Sequence, residues 1–232
     1  MAVRPVFRPI EHHPFVIEMD ISFKWYPGFS VSQTQKSIFS LHHAIKKQGV
    51  DPVLEISSKS SQSLGFQLSA FNLVFETLDG KKMSVECAFQ GSKVFENGGP
   101  YRELYQVSSR KAKKDERLQT SGKLTGFLFM DEEFPTNPKT AFYDWLYLLA
   151  LKQNQVLSSQ LPSFQGFTDI VFNPKKSFNC QARSAALFVA LSKKGLIEKV
   201  DWEKSDYLSI ITGVNAQANN SEQNSQQLEF PY

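Results

Sequence analysis

Residues 140–154 (TAFYDWLYLLALKQN) constrain the fold most, because they predict a helix with apolar side chains on nearly every side. Such a helix is stable only when other elements surround it, so it has to lie at the centre of a packed domain. Asp144 is the one charged residue inside its apolar run, and a buried carboxylate has to be paired or used in chemistry. With 232 residues, 41% of them hydrophobic, the chain can bury this helix in one large domain or two small ones.

The sequence on either side predicts short strands and further helices around this central one. Residues 3–26 are predicted to form two strands, and Pro5 and Pro9 restrict the first to a sheet edge or an irregular stretch. A helix capped by Ser30 or Ser32 follows, with one apolar stripe. Further strands are predicted at 53–56, 65–78 and 123–129, and further helices at 84–95, 101–115 and 177–193.

We therefore predict a mainly α, α+β fold, with a multihelical domain and a small β-sheet. Residues 1–50 are expected to form an N-terminal extension that packs on a core of residues 51–212. Residues 213–232 are rich in Asn, Gln and Ser and lack apolar content, so they are expected to form a disordered polar tail.

Composition and charge narrow the classes of function. The net charge of +3 is too small to require a polyanionic partner, although it is compatible with one. Cys87 and Cys180 are far apart and fit no zinc-ligand or disulfide pattern, so we expect no metal and no cofactor. No apolar run reaches the roughly 18–20 residues of a membrane span and no signal peptide is recognisable, so we expect a cytoplasmic protein without a membrane partner.

The segment that says most about chemistry is residues 84–95 (SVECAFQGSKVF). A serine before an apolar run is a helix start signal, and the predicted helix places Glu86, Gln90 and Lys93 at i, i+4 and i+7 on one face. If that face lines a pocket, it offers an acid or base and an amine nucleophile to one substrate. If it faces water, the same pattern is an ordinary amphipathic helix.

Two segments are candidates for binding phosphate groups. The hydroxyl-rich loop with Ser57, Ser58 and Lys59 can wrap phosphate or ribose oxygens, or it can be a flexible linker. Asn179 and Arg183 lie one turn apart at the start of the last strong predicted helix, where unpaired N–H groups favour an anion. The alternative there is a helix cap and a surface arginine.

A basic cluster lies between these segments and consists of Arg110, Lys111, Lys113 and Lys114. A run of charges is usually a solvated helix face. Beside a nucleic-acid substrate the same cluster would contact backbone phosphates, with an affinity that falls as the salt concentration rises.

Three motifs in this order resemble the NADAR family of YbiA-like N-glycosidases. They are LSAF at residues 68–71, VECAFQGSKVF at residues 85–95 after an Asp-Gly turn, and SFNCQAR at residues 177–183. The resemblance covers about residues 55–195, and the second motif is its most specific part.

The chain departs from the family pattern in two places and extends it in one. Ala70 and Ala182 stand where the family has Asn and Gly, and Asn72 is the expected substitute for the first. The N-terminal extension of about 50 residues, with the segment LEISSKS, resembles the subgroup associated with DarT-type DNA-modifying toxins.

The resemblance implies an antitoxin that removes ADP-ribose from guanine bases in DNA, with a cognate DarT-type toxin as its functional partner. It places Glu86 and Lys93 at the pocket as catalytic residues, the carboxylate as general acid/base and the amine as nucleophile or electrostatic group. The basic cluster would contact the DNA backbone. The residues expected to bind ADP-ribose and the base are Ser57, Ser58, Lys59, Ser69, Phe71, Asn72, Gln90, Tyr101, Asp144, Trp145, Asn179 and Arg183.

Two other functions stay open from the sequence. A protein of this fold can instead cleave the N-glycosidic bond of a riboflavin-pathway ribosylaminopyrimidine. It can also be a non-catalytic module that binds the toxin or recognises ADP-ribose without cleaving it. The basic cluster and the N-terminal extension count against the small substrate.

Overall fold

The computed structural model describes residues 1–28, 30–175 and 177–213. Its strands are β1 (Ala2–Pro9), β2 (Val16–Phe23), β3 (Val53–Glu55), β4 (Val74–Glu76), β5 (Lys82–Ser84), β6 (Lys93–Phe95), β7 (Leu124–Phe129), β8 (Glu132–Pro135) and β9 (Gly166–Thr168). Its α-helices are α1 (Val31–Lys46), α2 (Ser63–Gln67), α3 (Val85–Gly91), α4 (Ser109–Lys113), α5 (Arg117–Thr120), α6 (Ala141–Gln153), α7 (Gln155–Ser158), α8 (Gln181–Lys193) and α9 (Lys204–Thr212). Short 3₁₀ helices lie at Arg102–Gln106, Leu161–Ser163 and Ile197–Lys199.

The described strands form three separate sheets, so the prediction of one small sheet is too simple. The largest sheet has the order β2-β1-β9-β3, in which β3 and β9 are parallel and the other neighbours are antiparallel. The second is the β4-β5 hairpin, and the third has the order β6-β7-β8. More residues lie in helices than in strands. The predicted mixture of helices and strands is therefore confirmed, and the description as mainly α holds only roughly.

The N-terminal hairpin forms two strands of the main sheet, with β2 at its edge. β1 is a regular strand between β2 and β9, so both alternatives predicted from its prolines, a sheet edge and an irregular stretch, are wrong. It pairs with β2 along its whole length, whereas its pairing with β9 is confined to Phe7 opposite Phe167. Pro5 has no N–H to donate, and the second neighbour meets the strand only beyond that residue. Residues 1–50 and the proposed core therefore share one sheet.

Helix α6 is the centre of the larger apolar core, as its sequence predicts. All of residues 141–151 are buried, and the helix packs against α3 and α8. The polar atoms of its aromatic side chains are paired, because Trp145 Nε1 donates to the Asp201 carbonyl over 2.9 Å and the Tyr147 hydroxyl donates to the Leu68 carbonyl over 2.6 Å. The helix can therefore be fully buried without leaving these donors unsatisfied.

Helix α1 packs on the other face of the main sheet, within a second apolar cluster. Its start is fixed by Ser30, whose Oγ accepts a hydrogen bond from the N–H of Gln33 over 3.3 Å. Ile38, Leu41 and Ile45 form the buried stripe, so this predicted helix is confirmed.

The described chain ends at Gly213, which follows α9 with a φ of 71°. Residues 214–232, predicted as a disordered tail, lie outside the described residues. Within the described ranges, no helix combines the length and the apolarity that crossing a membrane requires.

Candidate active site

Helix α3 begins where the sequence predicts but ends at Gly91 and not at Phe95. Ser84 caps its first turn, with Oγ accepting a backbone N–H over 3.1 Å. Glycine is a weak helix former, and after it the chain changes to the strand β6, which pairs with β7. Lys93 therefore lies on a strand, and the predicted helical row with Glu86 is wrong in its geometry.

The two segments nevertheless face one cavity of about 690 Å³. Glu86 enters it from the helix and Lys93 from the strand that follows. The described residues that line the cavity are Ser57, Ser58, Ser69, Ala70, Phe71, Glu86, Phe89, Gln90, Lys93, Lys113, Lys123, Leu124, Phe127, Thr136, Lys139, Tyr143, Asp169, Val171, Phe172, Asn173, Ser177, Phe178, Asn179 and Gln181.

Glu86 is held rigidly at the cavity wall, with only 5% of its surface exposed. Its backbone N–H donates to the Ala70 carbonyl over 2.9 Å, which ties α3 to the LSAF segment. Its Oε1 accepts a hydrogen bond from Gln90 Nε2 over 2.9 Å and lies 3.9 Å from the Lys113 ammonium. A buried carboxylate needs such partners, and here an amide and a cation supply them.

Lys93 carries an amine that is partly deprotonated near neutral pH. Burial lowers the pKa of Lys93 from 10.5 to about 8, with Glu86 raising it and Lys113 lowering it further. The ammonium lies 4.7 Å from the centre of the Phe89 ring. The cavity thus contains an acid or base beside an amine whose neutral form is accessible.

A second buried carboxylate, Asp169, lines the cavity and is absent from the predicted site. Its Oδ1 accepts the N–H groups of Val171 and Phe172 over 3.0 and 3.2 Å, and its Oδ2 accepts from Gln181 Nε2 over 3.0 Å. Burial raises the pKa of Asp169, while these hydrogen bonds and Lys113 lower it. An isolated Asp in a loop carries no pattern from which this position could be inferred.

Glu55 is also buried and close enough to Asp169 for their charges to interact, but it does not line the cavity. Burial and the charge of Asp169 raise the pKa of Glu55. Its carboxylate accepts the Thr168 hydroxyl over 2.7 Å and the Ile170 N–H over 2.9 Å. His42 Nε2 lies 2.9 Å from the Thr168 hydroxyl, so a chain of hydrogen bonds joins α1 to Glu55.

Gln181 connects three segments of the cavity wall and is also absent from the predicted site. Its Nε2 donates to the Ile56 carbonyl over 2.7 Å as well as to Asp169, and its Oε1 accepts the Ala70 N–H over 2.7 Å. Gln181 lies inside the SFNCQAR motif, so the motif could have identified it as a site residue. The spacing of polar residues along the helix could not.

The structure brings only part of the predicted binding set to the cavity. Ser57, Ser58, Ser69, Phe71, Gln90 and Asn179 line it together with the two predicted catalytic residues. The predicted binding residues that do not line it are Lys59, Asn72, Tyr101, Asp144, Trp145 and Arg183.

Asp144, Arg183 and Trp145 are structural residues in this arrangement. Helix α8 starts at Gln181, later than predicted, so Asn179 precedes it in a loop while Arg183 points to α6. There Arg183 forms an ion pair with Asp144, which also accepts the Ser184 hydroxyl over 2.6 Å. Asp144 raises the pKa of Arg183. The ring of Trp145 is enclosed by the core and has no face free for a base.

Tyr101 and Asn72 also have partners outside the cavity. The Tyr101 hydroxyl bonds to Ser121, and the Arg117 guanidinium lies 4.2 Å from the centre of its ring. Asn72 Nδ2 donates to the Phe66 carbonyl over 2.9 Å and faces a shallow neighbouring groove. The geometry therefore does not support the predicted roles of Tyr101 and Asn72 in substrate binding.

The predicted basic cluster divides into residues with different surroundings. Lys113 enters the cavity, where its ammonium lies 5.0 Å from the centre of the Phe71 ring and near Glu86. Arg110 faces the shallow neighbouring groove. Lys111 and Lys114 are exposed.

The mouth of the cavity has an aromatic and cationic pair that the predicted site lacks. Phe178 is 61% exposed, and the Lys139 ammonium lies 4.0 Å from the centre of its ring. Lys123 lines the same cavity. In the described part of the chain, no three His, Cys, Asp or Glu side chains come together as a metal site would require.

A buried carboxylate, a desolvated amine and a cationic rim around one cavity define an acid–base site suited to an anionic substrate. This site belongs to a member of the NADAR family, because the family model for the DarT1-associated NADAR antitoxin matches residues 2–222 of the chain. The match confirms the resemblance and its subgroup, and with it the antitoxin role in a DarT1 system. No curated protein matches the chain.

Proposed function

We propose that the protein hydrolyses the N-glycosidic bond that joins ADP-ribose to a guanine base in DNA, and so reverses the modification made by the toxin. The observation that carries this proposal is the juxtaposition of Glu86 and a partly deprotonated Lys93 in one cavity. The N-glycosidase-like character of NADAR proteins and the antitoxin family of this chain support it.

Glu86 is the general acid of the proposed reaction. The bond between the guanine exocyclic nitrogen and C1″ of the distal ribose breaks more easily when that nitrogen receives a proton. Positive charge then develops at C1″, and the ionised carboxylate stabilises it. The hydrogen bond from Gln90 and the nearby Lys113 keep the carboxylate oriented before the substrate arrives.

Lys93 is the proposed nucleophile. With a pKa of about 8, about a tenth of its amines are neutral at pH 7. The neutral Nζ forms a bond to C1″ as the C1″–N bond breaks and the guanine nitrogen leaves with the proton from Glu86. The attached Nζ then gives a proton back to the Glu86 carboxylate, which passes it to the ring oxygen as the C1″–O4″ bond breaks, so the ribose ring opens to a protonated imine. Water then hydrolyses the imine and releases ADP-ribose. A protonated Lys93 would repel the positive charge at C1″, which favours the neutral form in this role.

Residues at the mouth of the cavity suit the rest of the substrate. The ammonium groups of Lys123 and Lys139 offer contacts to the diphosphate, and the hydroxyls of Ser57 and Ser58 add polar donors. Phe178 offers an exposed ring on which a base can stack, a contact worth about 1–3 kcal/mol. The modified guanine has to be flipped out or single-stranded to reach the cavity.

The first test uses the Glu86→Gln variant and an oligonucleotide that carries ADP-ribose on guanine. Release is followed by mass spectrometry, and protection against the toxin is measured in cells. We expect the variant to lose both activities while it stays folded, and the exposed Glu133→Gln control to keep both. Protection without release would favour a binding module, and no release by the wild type would exclude this hydrolase.

The role of Lys93 is tested by trapping. Sodium borohydride added during turnover reduces an imine to a stable amine, so ADP-ribose should become covalently attached to the wild type and not to Lys93→Arg. Turnover without any covalent adduct would show that Lys93 is not the nucleophile and would favour an electrostatic role for it.

The DNA part of the proposal is tested by neutralising Lys111 and Lys114 together. The KM for the modified oligonucleotide should rise about three- to tenfold at low salt, while the KM for a free ADP-ribosyl guanosine stays unchanged. The matched control is a double alanine variant at Lys193 and Lys194, which are exposed at the end of α8. Equal effects on both substrates would favour a small-molecule substrate over DNA.

A further inference from the structure

The shallow neighbouring groove lies directly beside the cavity, because the half-buried Phe71 lines both depressions. The groove has a volume of about 610 Å³, and among the described residues no Asp or Glu lines it. Its cationic side chains are Lys82 and Arg110. A depression with cationic side chains and no lining carboxylate favours an anionic ligand.

Arg110 is the cation of the groove that is available to such a ligand. The residue is exposed, and within the described chain its guanidinium has no hydrogen bond, ion pair or aromatic ring as a partner. Lys82, in contrast, lies 3.4 Å from the Glu76 carboxylate. The exposed Ser108 adds a hydroxyl donor to the groove. Because a planar guanidinium binds a phosphate through two parallel N–H donors, this surrounding suits a phosphate group.

Helix α4 connects the groove to the reacting centre. Arg110 lines the groove, and Lys113, one turn later on the same helix, enters the cavity near Glu86. The Ser109 hydroxyl donates to the Phe71 carbonyl over 2.8 Å, which holds the helix against the residue that the two depressions share. A molecule that extends from the cavity past the Phe71 ring therefore enters the groove.

The proposed substrate has to leave the cavity in two directions. Its guanine is bonded to the ribose of the modification and to the deoxyribose of the DNA, and each of these sugars is followed by phosphate groups. The ammonium groups of Lys123 and Lys139 suit the diphosphate of the modification. The DNA strand then needs a second path, and the groove offers it a guanidinium and no lining carboxylate among the described residues.

Resting on the proposed function, we propose that the groove binds the nucleotide next to the modified guanine, with the Arg110 guanidinium on the phosphate that joins the two. The modified base then lies in the cavity, and its neighbour in the same strand lies on the other side of Phe71. A volume of about 610 Å³ is in the range of small-molecule sites and accommodates one nucleotide. The contact gives the protein a preference for guanine in a DNA strand over the same modified guanine as a free nucleoside.

The test neutralises one phosphate at a time. Oligonucleotides with ADP-ribose on a central guanine are made with a methylphosphonate in place of the phosphate on the 5′ or the 3′ side of that guanine, and fluorescence anisotropy measures their Kd. Every protein compared carries Glu86→Gln, so that the modification stays attached. We expect one of the two replacements to weaken binding about tenfold, because a hydrogen bond between two charged groups is lost.

Arg110→Gln should weaken binding of the unreplaced oligonucleotide about tenfold as well. It should then be insensitive to that replacement, because the two changes remove the same contact. The matched control is Lys111→Gln, which removes an exposed charge from the same helix but not from the groove. This control should keep the full effect of the replacement.

Equal Kd values for all three oligonucleotides, measured with the native groove, would overturn the inference, and this comparison needs no change at Arg110. The full effect of the replacement in folded Arg110→Gln would overturn it as well. Release of ADP-ribose by the wild type is measured in parallel. A wild type that releases nothing would refute the hydrolase, and the same oligonucleotides bound to the wild type would then test the groove by itself.

Discussion

Replacing Lys93 with Met should make the protein more stable near neutral pH, because the native lysine is a cost to folding. Its pKa falls from 10.5 to about 8 as the side chain is buried. The unfolded chain therefore binds more protons than the folded chain between these two pH values. The penalty is complete below pH 8 and disappears as the pH rises toward 10.5.

The size of the effect follows from the same shift. The fall in pKa from 10.5 to about 8 corresponds to about 3 kcal/mol of lost folding free energy. Methionine fills a similar volume but loses the contact between the ammonium and the Phe89 ring, which is worth about 1 kcal/mol. The net gain at pH 7 is about 2 kcal/mol, or roughly 5 °C in the unfolding midpoint of a chain of this size.

The assay is urea unfolding of the wild type and Lys93→Met at a series of pH values from 6.5 to 9.5. The difference in the free energy of unfolding should be constant below pH 8 and should shrink by about 1.4 kcal/mol per pH unit above it. The control is Lys139→Met, which removes an exposed ammonium and should not stabilise the protein at pH 7. A less stable Lys93→Met, or a flat difference, would refute the reasoning.

Two further substitutions test how the cavity wall and the core are held. Gly65→Ala would drive its Cβ into the Glu55 carbonyl and to 2.7 Å from Ser60 Oγ, so we expect a loss of about 2 kcal/mol and a lower thermal midpoint. An unchanged midpoint would contradict this packing. Arg183→Met leaves Asp144 buried without its cation and should cost about 3–5 kcal/mol in urea unfolding. The double variant with Asp144→Asn should recover much of that loss, and a failure to do so would argue against the ion pair as the cause.

The elements that the sequence predicts correctly are those determined by local periodicity and capping. Helix α6 has apolar residues all round and is fully buried, and the cap residues Ser30 and Ser84 begin α1 and α3. The ends of elements are harder to predict, because they depend on tertiary pairing. β6 forms because β7 is beside it, and no pattern within residues 84–95 reports that neighbour.

The site residues divide in the same way, into those that the local sequence identifies and those whose position depends on tertiary structure. Glu86 and Lys93 meet at one cavity, although a strand and not a helical turn brings the second residue there. Asp169 and Phe178 come from loops whose position depends on the whole fold. Trp145 was predicted to bind the substrate, yet the apolar surroundings that make α6 a core helix leave no face of its ring for a ligand.

Because of the three hydrogen bonds of Gln181, the cavity forms only when distant segments of the chain are folded together. They join the segments at Ile56, Ala70 and Asp169, which are far apart in sequence, so no fragment that lacks one of them has a finished wall. Ligand binding is therefore coupled to global unfolding. A ligand at a concentration 100 times its Kd adds about 2.7 kcal/mol to the free energy of unfolding of the whole chain. A ligand in this cavity therefore protects the whole antitoxin from unfolding, and the ligand-free protein is more vulnerable to proteolysis.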